Sequence, residues 1–469
     1  MQLVQLPSSV KDNTDVHPVV KPFVAVTFFG LFIITFLFFQ PMLGLQAINP
    51  STWLAFFLGL GLTCLGGLGW IYFLHKDRTP GIKHDYTMFS GAKRRGLIGW
   101  GLGVFITLFY VVLYFYHDVK AAGLPPLLDP WVAMVDPLSM MLSGKKADIW
   151  FLYGTFYTFA VLVMGVRMLM KYRHNRYQQV RTLSVMFFQL GFAFLIPAFL
   201  KKLNQPEFYF TYFWPLKPEY LFPNGVSGLT SAGSIGVFMI GWGMVMTFLA
   251  TPVLTYLYGK RWYCSWVCGC GGLAETLGDP FRHNSDKSEK AWVIERWMIH
   301  TVLLSIIVIT VLLWINDANG QAIFGSSTQR AKQIYGFYIG SVFSGIIGVG
   351  FYPIMGSRVW CRFGCPMAAI LGIFQRTFSR FRITTNGDQC ISCGNCSTYC
   401  EMGIDVRGYA QRGENIVRAS CVGCGVCAAV CPRGVLALEN GPVKQGRFTG
   451  SNKNPAAIFW DSLTKREIY

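Results

Sequence analysis

Apolar residues run through this chain in long unbroken stretches separated by short polar ones. Eight such stretches lie at Phe23–Gly44, Trp53–Phe73, Leu97–Phe115, Ile149–Met170, Leu183–Leu203, Ile235–Tyr258, Met298–Ile315 and Tyr335–Met355. Each is close to the roughly 20 residues that a helix needs to cross a bilayer core of about 30 Å. The pattern predicts an all-α polytopic membrane protein with about eight transmembrane helices, four over residues 1–180 and two hairpins over 181–375. There the apolar runs stop. Residues 376–440 read as a small soluble domain, and 441–469 as a polar tail. No small-residue cleavage site follows the first run, so it is expected to stay as a span. Glycines in Gly59-Leu60-Gly61 and Gly66-Gly67 imply close helix packing or subunit contact.

Composition agrees: 52% of the 469 residues are hydrophobic and only 14% charged. A net charge of +18 would suit a nucleic-acid binder, but its distribution excludes that partner. With an even number of spans, both termini share one side. The loops on that side carry Lys11, Lys21, Lys76, Arg78, Lys83, Lys93, Arg94 and Arg95. This is the positive-inside bias, and it puts both termini and the soluble domain in the cytoplasm.

Eight of the fourteen cysteines fall in two tight runs. Cys390, Cys393, Cys396 and Cys400 form the first; Cys421, Cys424, Cys427 and Cys431, then Pro432, form the second. Each reads C-x2-C-x2-C-x3-C, the spacing that holds 4Fe–4S clusters, with the fourth cysteine of each run serving the other cluster. Cys390, Cys393, Cys396 and Cys431 are therefore expected to hold one cluster, and Cys421, Cys424, Cys427 and Cys400 the second. Residues 376–440 become a bacterial-ferredoxin-like α+β two-cluster domain. Zinc is the other thiolate-bound possibility, but its sites usually pair two C-x2-C knuckles across a long gap. Glu401 stands where a proline would follow Cys400. The insert from Glu401 to Ser420, with Arg407, Arg412 and Arg418, reads as a solvated loop able to receive an acidic redox partner.

More cysteines come from a repeat. Gly259-Lys-Arg261-Trp-Tyr-Cys264 with Cys268 matches Gly356-Ser-Arg358-Val-Trp-Cys361 with Cys365, each pair 97 residues apart. Spans five to eight thus look like duplicated hairpins whose cysteines meet on one face, provided a helix continues through each C-x3-C pair. Cys270 is a fifth candidate. Together these residues could hold a third iron–sulfur cluster or another soft metal, or simply be buried thiols. The third cysteine of radical enzymes, at C-x3-C-x2-C, is missing.

Paired C-x3-C motifs ahead of a two-cluster domain resemble a bacterial membrane polyferredoxin family that includes NapH, NosR and CcoG. The likeness covers roughly Leu183 to Asn440. Cys361-Arg-Phe-Gly-Cys365-Pro366 fits the family's C-x3-C-P; Cys264-Ser-Trp-Val-Cys268 lacks the proline. The resemblance implies a protein of the bacterial inner membrane that relays electrons between the quinone pool and a redox partner protein, as a quinol dehydrogenase subunit. The alternative it implies is a metal (copper) reductase or assembly factor for a client metalloenzyme. A plain anchoring subunit is the third possibility.

Histidines bear on the route. His75, His174 and His300 lie near the inner ends of spans two, four and seven, so they are candidates for a haem b, a quinone site or headgroup contact. No histidine pair falls at mid-membrane. Arg167 in span four is expected to reach the headgroups or to face a quinone or cluster. No chain of buried carboxylates is visible, which argues against a proton pump. Phe208, Tyr209, Phe210, Tyr212, Phe213 and Trp214, in an outer loop over 204–234, read as an interfacial belt or a docking surface. There is no nucleotide loop, flavin-attachment signature or C-x-x-C-H haem motif.

Overall fold

Seven of the eight apolar runs form helices long and apolar enough to cross a membrane: Val20–Phe39, Thr52–His75, Leu97–Tyr114, Ile149–Lys171, Arg176–Lys202, Ser234–Tyr258 and Glu289–Ala318. They belong to a computed structural model that describes residues 18–40, 50–76, 95–124 and 127–441. Lys11, Arg78, Lys83, Lys93 and Arg94, the end of the first run, and the polar tail after 441 lie outside the described residues.

The eighth run departs from expectation. It is helical from Ser327 to Ile347, but the first nine residues are polar, with Arg330 and Lys332. The helix stops at Gly348 before a short turn at Tyr352–Met355. The segment still runs back along span seven, from Thr328 beside Asn316 to Arg362 beside Glu295, so the chain returns to the side it left. Three segments widen into π-helix, at Phe188–Leu195, Val245–Ala250 and Gly336–Ile347. Pro197 and Pro252 follow the first two closely. A proline has no N–H to give the carbonyl one turn back, and a wider turn accommodates it. The Thr251 hydroxyl donates to the Met246 carbonyl at 2.7 Å there.

The first two spans pack as a pair. A Cβ at Gly66 would lie 2.6 Å from the Thr27 nitrogen, so glycine is what allows the approach, whereas Gly61 and Gly67 face nothing within 4 Å.

The aromatic loop after span five is not a surface belt. It dips into the bundle. Phe208 and Phe213 are buried, the Trp214 indole donates to Thr310 of span seven at 3.1 Å, and Thr247 of span six donates to the Trp214 carbonyl. Tyr263, beside the first cysteine motif, donates to the Thr211 carbonyl at 2.7 Å. Irregular backbone at this depth is stable because protein groups take up its polar atoms.

The soluble domain is closed by β1 (Phe381–Thr385) and β2 (Leu436–Asn440), antiparallel with Phe381 opposite Asn440 and Thr385 opposite Leu436. It sits directly on the helices. Tyr177 donates to the Gly423 carbonyl at 2.8 Å, Gln178 to Cys424 at 2.7 Å, and Ser265 to Val422 at 2.8 Å. Gln375 donates to the carbonyls of Arg418 and Cys421. The second cysteine run thus faces the membrane region.

Candidate functional site: three cysteine sets

All fourteen cysteines are free thiols. The two runs interleave around two cavities. Cys390, Cys393, Cys396 and Cys431 line one of about 370 Å³, with Arg407, Pro432 and Arg433 at its rim. Cys400, Cys421, Cys424 and Cys427 line another of about 380 Å³. The halves are built alike. Gly394 and Gly425, both in the left-handed region, precede the short helices that carry the third cysteines. The Ile404 amide donates to Cys400 Sγ and the Val435 amide to Cys431 Sγ, each at 3.4 Å. Exposure separates them: Cys393 is exposed, while Cys421 and Cys427 are buried.

The repeated motifs converge as well, though by a different local route from the one expected. The helix does not run through C-x3-C. A short helix, Arg261–Cys264 or Val359–Phe363, carries the first cysteine. The second is extended and begins the next helix, Gly269–Thr276 or Pro366–Thr377. Pro366 disfavours α geometry at Cys365, which is extended, and Cys365 Sγ accepts the Ala368 amide at 3.4 Å. The motif glycines stop the preceding helices at positive φ, 68° at Gly259 and 92° at Gly356. A Cβ on Gly356 would meet Ser285 Oγ at 2.3 Å. Gly356→Ala is expected to lower stability by at least the roughly 1–2 kcal/mol that left-handed backbone costs an L-residue, seen as a lower thermal midpoint of the purified protein.

Cys264, Cys268, Cys361 and Cys365 are all buried and act on one another electrostatically in every pairing. Burial pushes the Cys264 thiol up to about 12. Cys268 falls to about 7, chiefly because Cys270 donates a hydrogen bond to its sulfur. Cys270 also acts electrostatically on Cys268, Cys361 and Cys365, so it lies beside the same set.

The donor chemistry, thiolate sulfur throughout, fits an iron–sulfur cluster. A tetrahedral zinc with bonds of about 2.3 Å holds its sulfurs about 3.8 Å apart. Among the described residues, the one group of three metal-ligating side chains within 4.8 Å is Glu275, Glu401 and Cys424. Among the described residues, no three thiols of one set lie that close together. The described histidines form no such group. His75 is buried with Nδ1 2.8 Å from the Ile71 carbonyl, His300 faces outward with Nδ1 2.7 Å from Arg296, and His174 is exposed. None lines either cysteine cavity.

Between the sets lies a buried ion network. Asp279 takes Arg167 and Lys171 of span four and Arg282, each at 2.8 Å. Glu275 takes Arg181 at 2.5 Å, Arg358 at 2.6 Å, and Arg282. Glu401 takes Arg282 at 2.9 Å and Arg358 at 3.1 Å. The arginines and lysine around Glu275 and Asp279 hold both carboxyls far below the usual range against their burial. Three sequence expectations change here. Arg167 is 1% exposed and paired, so it does not reach headgroups. Buried carboxylates exist, in the segment after the first motif. The insert is solvated at Asp405, Arg407, Gln411, Arg412 and Glu414 but not throughout, since Glu401 is buried and Arg418 lies over Trp292 at 4.6 Å. The available signals were two cations one turn apart in an apolar span and a cluster of charges in the short stretch from Glu275 to Arg282.

Comparison with known families agrees with this geometry. A 4Fe-4S binding domain matches residues 240–288 and again 337–385, the two motif hairpins. A 4Fe-4S dicluster domain matches 389–436. The chain is therefore an iron–sulfur protein with a 4Fe–4S ferredoxin-type domain. It is similar to YccM of Escherichia coli (strain K12), whose name proposes electron transport, at 26% identity over 186 residues, 34% of this chain and 47% of that one. An uncharacterised protein of Methanocaldococcus jannaschii is 26% identical over 181 residues, 38% of this chain and 67% of that one. The match thus spans about half of the first relative's length. No solved structure matches.

Proposed function

We propose that this chain is a membrane-bound electron-transfer protein working between the quinone pool and a redox partner protein, as a subunit of a larger complex. One observation carries the reading: three sets of four free thiols lie in series from the buried helix ends to an exposed surface. Cys264, Cys268, Cys361 and Cys365 are the innermost set, then Cys400, Cys421, Cys424 and Cys427, then Cys390, Cys393, Cys396 and Cys431. Bound 4Fe–4S clusters supply one-electron chemistry over a wide range of potentials.

The chain's own residues do the rest. The dipping loop with Phe213 and Trp214 keeps water from the innermost thiols. Amides of Ile404 and Val435 stabilise negative charge on sulfur. The positive-inside bias supports a cytoplasmic soluble domain in a bacterial inner membrane. The quinone link, and a place beside NapH, NosR and CcoG, rest on the C-x3-C-P motif at 361–366. The name of YccM supports electron transport as such.

Anaerobically purified protein is expected to contain about eight to twelve irons, counting four per cluster, and a quinol analogue should perturb its electron paramagnetic resonance. Iron at or below about four per chain, or zinc in its place, overturns the proposal.

A further inference from the structure

One side chain in the buried network joins the innermost cysteine set to the wall of the next. The Arg358 guanidinium is almost fully buried, at 1% exposure. Its Nη1 donates to the Cys264 carbonyl at 3.1 Å and lies 3.6 Å from Cys361 Sγ. Its Nε is 3.1 Å from Glu401 Oε1. Glu401 follows Cys400 in sequence and itself lines the cavity of Cys400, Cys421, Cys424 and Cys427. A single cation therefore contacts a thiol of the innermost set and a carboxylate in the wall of the next.

The repeat makes this specific. Arg261 is the equivalent of Arg358, 97 residues earlier. It does something else: its Nε donates to the Tyr258 carbonyl, and its guanidinium lies over the Phe381 ring at 4.7 Å. Sequence symmetry is kept while the electrostatic role falls to one copy.

We propose that Arg358 and Glu401 are positioning residues that set, and link, the reduction potentials of the innermost centre and its neighbour. The proposal rests on the cysteine sets holding iron–sulfur clusters. Reduction adds negative charge. A cation donating toward a ligating sulfur favours the reduced form, and a carboxylate opposes it. Water is excluded, so neither effect is screened as it would be at a surface. Because Arg358 and Glu401 are paired, removing either one changes the field at both sets.

The test is a potentiometric titration of the full chain, purified anaerobically and followed by electron paramagnetic resonance, with iron content measured on each sample. Arg358→Gln is expected to make the innermost centre at least tenfold harder to reduce, about 59 mV for a one-electron couple. Glu401→Gln should make the centre of Cys400, Cys421, Cys424 and Cys427 easier to reduce by a similar factor. Arg358→Lys, which keeps the charge, should recover most of the first shift, and Arg261→Gln should move neither centre. If Arg358→Gln fails to load iron, Glu401→Gln and Arg358→Lys decide. Parent potentials in iron-replete Glu401→Gln and Arg358→Gln proteins, or an equal shift from Arg261→Gln, overturn this link and leave the cluster assignment standing. Absence of iron from the parent overturns both.

Discussion

Asp279→Ala is expected to prevent the protein from accumulating in the membrane. The carboxylate is fully buried and is shared by Arg167, Lys171 and Arg282 at 2.8 Å each. Removing one partner of a buried ion pair costs about 3–5 kcal/mol, because the remaining charge has neither water nor counter-ion. Here two of the cations, Arg167 and Lys171, have Asp279 as their common ion-pair partner, and a cost at the upper end is expected. Folded domains are stable by only about 5–15 kcal/mol. Most of the margin would go. Asp279→Asn should behave similarly, since it keeps an acceptor but not the charge. The contrast is the surface pair of Arg412 and Glu414, whose side chains are 57% and 52% exposed. Glu414→Ala should change stability by less than about 1 kcal/mol. Yield of folded protein and its thermal midpoint in detergent measure both. A normal yield and midpoint for Asp279→Ala would show that the network is not holding spans four and five to the cysteine motifs.

That network marks the line between what the residue pattern discloses and what it hides. The spans were legible because a membrane asks only for length and apolarity, and the ferredoxin-type domain because cluster spacing is local in sequence. The placing of Cys400 and Cys431 in each other's cavity follows the same spacing rule, in which the fourth cysteine of each run serves the other site. Arg167 was not. Its partner lies 112 residues away, in the segment after the first cysteine motif. Glu401, in the place of a proline, reads as a mere departure until Arg282 and Arg358 are seen around it. The aromatics at 208–214 were assigned to an interface by composition. Composition cannot say that Tyr263 and Thr310 supply hydrogen-bonding partners deep in the bundle. The break inside C-x3-C was hinted at by Pro366, which disfavours α geometry at Cys365, and has no such cue at Gly269.

Changing Cys361 and Cys365 together to serine should remove about four irons per chain and one paramagnetic centre, leaving the two centres of the soluble domain in place. The selectivity follows from the packing. These cysteines belong to the helix ends beside span seven, whereas the two-cluster domain is closed by its own β1 and β2 pairing and by the contacts of Tyr177, Gln178 and Gln375. Serine is close in size to cysteine, so loss of ligation rather than of packing dominates. Electron flow from a reduced quinol to an acceptor at the exposed surface by Cys393 should then fall to background, because the innermost set is the one nearest the bilayer. The same variant separates the relay from the metal-assembly alternative. A relay leaves the metal content of the partner enzyme intact while its reduction stops; an assembly factor leaves that enzyme short of metal. Loss of all three centres would mean that the helix-end site and the soluble domain load as one unit, and the serial arrangement of independent sites would have to be abandoned.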